Sequence, residues 1–243
     1  MSNVLLIARR ELMAYVRSPL GYVVAAAVLL IDGIWFMAKA LGPAGGKQLS
    51  AAVLGEFFHG ATGTTMIACL VLSMRLVAHE QEHGTLVLLR TSPIRDRDVV
   101  VGKFLSVMLV MSITTALTVY MPLLVAAYGK VSTGHIVVGY VGLLLLASAS
   151  IAIGLFASTL ARSQVIAAIV GAALLGTMLL LWLLARQTEP PINEFIEGLA
   201  LHHARQRPFM QGLLRLENVV YYLAVTFAFL VASIKTLEAR RWR

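Results

Sequence analysis

Six long apolar segments dominate the sequence, and polar and charged residues are concentrated between them. A helix needs about 20 mainly apolar residues to cross the hydrocarbon core of a bilayer, and each segment is near or above that length. The pattern therefore predicts an all-α integral membrane protein, with six transmembrane helices in one domain over residues 1–243. The predicted spans cover roughly residues 20–41, 60–78, 104–128, 136–160, 165–185 and 219–237.

Residues 1–18 precede the first span and have the pattern of an amphipathic helix. Apolar side chains recur at helical spacing, and Ser18 and Pro19 then interrupt the pattern. A helix of this kind lies on the membrane surface or offers a docking surface to a cytoplasmic partner, and both roles are open. Its predicted apolar positions are Leu5, Ala8, Leu12, Tyr15 and Val16.

The connection over residues 79–102 is longer than a turn between two spans requires. Gly84 can end the second span, and Leu86 and Leu89 place apolar surface outside the bilayer. Ser92 as a cap and Pro93 at the first position predict a new short helix. Exposed apolar surface in a charged loop favours a protein contact, while a helix lying flat on the membrane is the alternative. Four charged residues are expected at the start of this helix: Arg95, Asp96, Arg97 and Asp98.

The connection over residues 186–217 is predicted to form an outer re-entrant hairpin of two short helices. Apolar residues recur at helical spacing before and after the basic stretch 202–207, which is expected to form a polar turn. Backbone that dips into the bilayer must be shielded by protein or water, so this hairpin is either an outer gate or a passive cap. The apolar positions are Ile192, Phe195, Ile196 and Leu199, then Phe209, Met210, Leu213 and Leu214.

Composition excludes several classes of protein. Apolar residues make up 59% of the chain and charged residues 13%, whereas soluble domains have about 45–50% and about 25%. A soluble enzyme, a disordered chain and a disulfide-stabilised secreted domain are therefore excluded, and the single Cys69 forms no intrachain disulfide. The net charge of +8 comes from basic residues beside the spans, which indicates membrane topology and headgroup contacts rather than nucleic acid. Their distribution favours both termini in the cytoplasm.

Within the spans, one carboxylate and two small-residue stripes stand out. Asp32 lies near the middle of the first span, where a carboxylate is costly. It is either a transport residue or one partner of a structural hydrogen bond, and Lys39 can reach the outer interface. Small residues every four positions indicate close helix packing, within a subunit or between subunits. The stripes are Ser150, Gly154 and Ser158 in the fourth span, and Ala168, Ala172 and Gly176 in the fifth.

Two motif tests bear on enzyme activity. The segment 42–48 lacks the glycine spacing and hydroxyl residue of a phosphate-binding P-loop, so this chain is not expected to bind ATP by that motif. His79, Glu80 and His83 match H-E-x-x-H, in which two histidines bind zinc and the glutamate is the general base. No third ligand is evident in the sequence. An intramembrane zinc metalloprotease is therefore kept as the alternative, and a passive membrane scaffold or channel as a third.

Residues 74–103 contain Glu80 after the second predicted span, then Gly84-Thr85, then Thr91-Ser92-Pro93 and a closing Gly102-Lys103. This pattern resembles the ABC-2 type transporter permeases. Residues 8–22 and the final NVVYYL and RRW segments are similar to the gliding-motility-type branch, which is close to the copper-maturation permeases. His79 and His83 depart from the family pattern. The loop residues that match are Glu80, Gly84, Thr85, Leu86, Leu89, Thr91, Ser92, Pro93, Gly102 and Lys103.

The resemblance implies a permease subunit of an ATP-driven exporter in the cell (inner) membrane. Its expected partners are a cytoplasmic ABC ATPase and a second permease subunit, identical or different. ATP and Mg would be bound by the ATPase, and this chain would hold no cofactor and perform no catalysis. The loop helix would be the coupling helix. The expected ATPase-coupling residues are Arg10, Glu11, Glu80, Gly84, Thr85, Leu86, Leu89, Thr91, Ser92 and Pro93.

Overall fold

Helices make up the regular structure of the chain. The computed structural model describes residues 3–41, 50–84, 95–189 and 192–241, and no strand occurs within these ranges. Six helical segments there are long and apolar enough to span a membrane, which confirms the predicted fold class. The helices are α1 Asn3–Arg17, α2 Pro19–Phe36 with a π-helical end at Met37–Leu41, α3 Ser50–Ser73, α4 Arg75–Glu82, α5 Asp96–Leu117, α6 Tyr120–Tyr128, α7 Thr133–Leu160, α8 Gln164–Ala185, α9 Ile192–Leu199, α10 His203–Met210 and α11 Leu216–Arg241.

Helix α7 is the centre of the bundle. Every residue over 146–155 is buried, and a helix that is buried all round must be surrounded by other helices. Helices α3, α5, α8 and α11 pack against it. By contrast, α2, α8 and α11 leave most of their apolar surface uncovered by the rest of the chain. This surface is available to lipid or to another subunit.

The second span begins earlier than predicted and is broken near its end. Helix α3 starts at Ser50 rather than at residue 60, because Glu56 does not interrupt it. The Glu56 carboxylate lies 3.1 Å from the Lys39 ammonium at the end of the first span. At the other end, α3 stops at Ser73, and α4 continues from Arg75.

The third span is also divided into two helices, where a single helix was predicted. Helix α5 ends at Leu117, and α6 starts at Tyr120. Pro122 has no N–H to donate to the carbonyl of Thr118, so the helical hydrogen-bond ladder is interrupted there. The Thr118 carbonyl instead accepts from the Met121 N–H at 3.0 Å.

The connection between the second and third spans is described only at its ends. Helix α4 ends at Glu82, and Gly84 has a φ of 70°, the left-handed conformation in which helices commonly terminate. Residues 85–94 lie outside the described residues. The prediction that 95–98 belong to a short helix starting at Pro93 is wrong, because Arg95 is extended. Helix α5 begins at Asp96, where acidic side chains favour a helix N-terminus.

The connection between the fifth and sixth spans contains two short helices, but the predicted turn is misplaced. Helix α10 starts at His203, so most of the basic stretch is helical, and Leu213 and Leu214 lie beyond its end. The turn occurs instead at residues 200–202. There the Leu201 N–H donates to the carbonyl of Met178 at 3.1 Å. Met178 is about two turns before the end of α8, so this turn packs beside α8.

Helix α1 packs closely along α5. A Cβ on Gly102 would lie 2.8 Å from the Ile7 side chain, so only glycine permits this approach. Ile7, Ala8 and Tyr15 are buried, whereas Leu5, which was predicted on the apolar face, is 56% exposed. Val16 is likewise half exposed. The buried face of α1 is therefore rotated from the predicted one and includes Glu11. The Glu11 carboxylate is tolerated on this face because it pairs with a cation.

Candidate functional site

One end of the bundle carries both the start of α1 and the end of α11, and this end is called the terminal face. Four charged side chains meet there. The Lys103 Nζ lies 2.9 Å from Glu80 Oε1 and 3.1 Å from Glu11 Oε1. The Arg10 Nη2 lies 2.7 Å from Glu11 Oε1 and 3.0 Å from Glu80 Oε1. These residues, Arg10, Glu11, Glu80 and Lys103, form the charge cluster, which has two charges of each sign.

The charged side chains of the cluster come from α1, α4 and α5. Gly102 brings α1 against α5, which places Glu11 beside Lys103. Helix α4 contributes Glu80. The Lys103 side chain is 1% exposed, and those of Glu11 and Glu80 are 15% and 13% exposed. A buried ammonium is stable only when it is paired, so the cluster connects three separate helices through one side chain.

Electrostatics within the cluster favour the charged forms of Glu11 and Arg10. Burial raises the pKa of the Glu11 carboxyl, but Lys103 and Arg10 outweigh burial and hold this pKa below its usual value. The hydrogen bond to Glu11 raises the pKa of the Arg10 guanidinium. Two nearby cations both favour the charged form of a carboxyl group.

The predicted coupling residues are only partly brought together. Arg10, Glu11 and Glu80 meet in the charge cluster, whereas Gly84 ends the α4 segment and takes no part in it. Lys103 was recognised in the resemblance but not as a site residue; a lysine directly after Gly102 within an apolar run was the available signal. The remaining predicted residues lie outside the described residues: Thr85, Leu86, Leu89, Thr91, Ser92 and Pro93.

Ser158 occupies the break between α3 and α4. Its hydroxyl donates to the Met74 carbonyl at 2.9 Å and accepts from the N–H groups of Val77 and Ala78 at 3.0 and 2.9 Å. In a regular helix, the Ala78 N–H would donate to the Met74 carbonyl. A side chain inserted into the hydrogen-bond ladder is a recognised cause of a kink, so the direction of α4 depends on α7.

Two further contacts hold α4 from other sides. Arg240 donates to Gln81 Oε1 and to the Leu160 carbonyl, both at 2.8 Å. Gln164, at the start of α8, donates through Nε2 to His79 Nδ1 at 3.0 Å and to Glu82 Oε2 at 3.3 Å. Helix α4 is therefore attached to α1, α5, α7, α8 and α11, and it leads directly toward residues 85–94.

The H-E-x-x-H residues do not have the arrangement of a zinc protease. His83 lies beyond the end of α4, and its Nδ1 donates to the His79 carbonyl at 2.9 Å. Glu80, the required general base, is paired with Lys103 and Arg10. Within the described ranges, no group of three or more His, Cys, Asp or Glu side chains could hold a metal ion. The geometry gives the protease hypothesis no support.

Asp32 is separate from the charge cluster. It is 3% exposed, and the Thr64 hydroxyl on α3 donates to its Oδ1 at 2.7 Å. This contact matches the structural hydrogen bond considered for Asp32 and joins the first span to the second. The Lys39 side chain lies near the end of the same span, with its ammonium 5.2 Å from the Trp35 ring centre.

Comparison with known proteins identifies the family. A family model described as ABC-2 family transporter protein matches residues 5–241. The search of curated protein sequences finds no match. The match includes all six spanning helices and the complete charge cluster, so it covers the helices on which both the fold and the site depend. The chain belongs to the ABC-2 family of transporter proteins.

Proposed function

We propose that the chain is the permease subunit of an ATP-driven exporter and that the terminal face is cytoplasmic. A separate ABC ATPase would bind there, hydrolyse ATP and move α1 and α4. Family membership supports a membrane component that works with an ATPase. The branch within the family, suggested by residues 8–22, stays a prediction, as does the direction of transport.

The charge cluster is the observation that carries the coupling proposal. It connects α1, α4 and α5, and residues 85–94 lie between α4 and α5. Force applied to this connection would therefore act on Glu80 through α4 and on Lys103 through α5. Because their charges are buried and paired, separating these helices is costly. The three helices are thus expected to move together and to pass the displacement to the spans.

Paired permease subunits are the second part of the proposal. Helix α8 has an apolar surface largely uncovered by its own chain, and its stripe of small residues permits close approach of a second helix. The stripe in α7 is already occupied: a Cβ on Gly154 would overlap the Ser73 side chain. We propose that α8 contributes to the contact between two permease subunits.

The coupling proposal is tested by changing Leu86 and Leu89 to Asp. Tagged chain is purified with its bound subunits, which are identified, and the complex is reconstituted into liposomes. We expect the double substitution to abolish partner-stimulated ATP hydrolysis while membrane insertion is retained, because two carboxylates would disrupt an apolar protein contact.

The matched control changes Leu213 and Leu214 to Asp. These leucines are 52% and 60% exposed on the opposite face, so the chemical change is the same and ATP hydrolysis should be retained. Unchanged stimulation in the Leu86 and Leu89 variant would refute the assigned contact. Transport by the chain without any ATPase would favour the passive channel instead.

A further inference from the structure

A small cavity with both polar and apolar lining residues lies on the terminal face between α1, the start of α2 and α4. Its volume is about 130 Å³, and Ser18, Arg75 and His79 are among the residues that line it. One water molecule occupies about 30 Å³ of the liquid, and pockets for drug-sized ligands are about 300–1,000 Å³. The cavity is therefore the size of one small polar group.

Arg75 provides a cation that has no partner within the described ranges. It makes no hydrogen bond or ion pair with any residue there, although it is partly buried. Arg75 and Tyr15 line the same cavity. Burial and the Glu11 carboxylate raise the pKa of the Tyr15 hydroxyl, and the Arg75 guanidinium acts in the opposite direction. A partly buried guanidinium is stabilised by an anion that accepts its several N–H groups.

Ser18 provides a second donor that is unused. Its hydroxyl oxygen is inaccessible to solvent and has no hydrogen-bond partner among the described residues. Ser18 immediately precedes α2 but makes no side-chain capping bond, and the first N–H groups of a helix favour a nearby anion. The hydroxyl and the start of α2 therefore favour the same kind of ligand as Arg75.

His79 adds a third donor. Because the Gln164 amide nitrogen donates to His79 Nδ1, the proton of the neutral ring is on Nε2. Glu11 also borders the cavity, but its charge is balanced by Lys103 and Arg10 in the charge cluster. The lining thus contains three residues with donor groups, and no ion pair among the described residues balances the charge of Arg75.

We propose that this cavity binds a phosphate group, with Arg75, Ser18 and His79 as its donors. A phosphate has several acceptor oxygens and suits the planar fork of an arginine. The cavity lies where the first span begins, at Pro19, which is the height of the lipid headgroups. The phosphate of an anionic phospholipid can therefore enter from the leaflet at the terminal face, and inorganic phosphate is the soluble source of the same chemistry.

The test measures binding to the full chain in detergent and needs no ATPase, so its outcome is independent of the proposed transport function. Native mass spectrometry follows the binding of dioleoyl-phosphatidylglycerol, with dioleoyl-phosphatidylcholine for comparison and inorganic phosphate as competitor. We expect one tightly retained phosphatidylglycerol. Arg75→Gln and Ser18→Ala should weaken its retention, the arginine change by about tenfold or more in apparent dissociation constant.

Arg17→Gln is the matched control, because Arg17 is an exposed arginine that ends α1 and does not line the cavity. Its lipid retention should match that of the unmodified chain. Millimolar inorganic phosphate that displaces phosphatidylglycerol from the unmodified chain, but not from Arg75→Gln, would support the phosphate site. It would also identify the soluble ion as the ligand of that site. Equal weakening by the Arg17 and Arg75 changes, or no effect of Arg75→Gln on either ligand, would overturn the proposal.

Discussion

At the scale of single residues, Lys103 has the largest influence on the terminal face. Apolar side chains surround it in α5, yet its ammonium meets two carboxylates from two other helices. Pairing offsets the cost of burying the three charges, but only while all partners are present. Arg10 is mostly exposed, so it cannot replace the buried cation. The cluster is therefore sensitive to the loss of Lys103 above all.

Replacing Lys103 with Met should destabilise the chain by about 3–5 kcal/mol, the usual cost of removing one partner of a buried pair. The expected result is a clearly lower midpoint of thermal unfolding in detergent. Lys235→Met is the control, because the Lys235–Glu238 pair is exposed and such pairs contribute about 0–1 kcal/mol. Equal midpoints for the two variants would contradict the importance of the buried pairing.

Acid should weaken the same cluster through Glu11. The folded-state pKa of this carboxyl lies below its ordinary value of 4.5, so its contribution to stability is complete above the unfolded-state pKa. The contribution is lost as pH falls through 4.5 toward the folded-state value. Thermal unfolding between pH 6 and pH 3.5 should therefore show a steeper loss of stability in the unmodified chain than in Glu11→Gln. Parallel curves would be evidence against this linkage.

At the scale of elements, α4 is the segment whose position depends on most neighbours. The Ser158 hydroxyl satisfies two N–H groups and one carbonyl at the break before it. Charged and amide side chains then attach α4 to α1, α5, α8 and α11. A short helix of eight residues has little stability of its own, so these contacts set its direction.

Ser158→Ala should loosen α4, because unsatisfied buried polar groups cost about 1–3 kcal/mol each. Hydrogen exchange at Val77 and Ala78 should become faster. Ser150→Ala is a close control in the same helix, since the Ser150 hydroxyl is buried without a hydrogen-bond partner among the described residues; it should leave exchange unchanged. If both alanine variants behaved alike, the inserted hydroxyl would not be what holds α4.

The sequence predicts the spans well because a bilayer demands about 20 apolar residues in each. It does not predict the break before α4, which depends on a contact between distant residues, Ser158 with Met74. Hydrophobic spacing also misplaces the buried face of α1, because Glu11 is a charged residue at its centre. The resemblance to the family predicts Arg10, Glu11 and Glu80 as coupling residues. It also includes Lys103, whose place in the site became evident only from its two partners in the structure.

At the scale of the whole molecule, the uneven burial of the spans indicates where other molecules lie. Helix α7 is surrounded by its own chain, whereas α2, α8 and α11 show mainly apolar side chains at the surface. Lipid can cover all of this surface. On the α8 surface, the small residues Ala168, Ala172 and Gly176 leave room for a second helix to approach closely.

We therefore expect Ala172→Cys to form a disulfide between two copies of the chain in membranes. The single native Cys69 is fully buried, so it should not react. Oxidation followed by non-reducing electrophoresis should give a dimer for Ala172→Cys and none for Leu223→Cys, which is exposed on α11. Disulfides need Cα atoms about 4.4–6.8 Å apart, so crosslinking at residue 223 alone would place the contact on α11 instead.

The contact between Arg240 and Gln81 joins residues that are 159 positions apart. A ribosome adding about 5–20 residues per second needs roughly 10–30 s to synthesise that interval. During this time four further spans enter the membrane while α4 still lacks its attachment to α11. The attachments of α4 on the terminal face are thus complete only after the sixth span is in place.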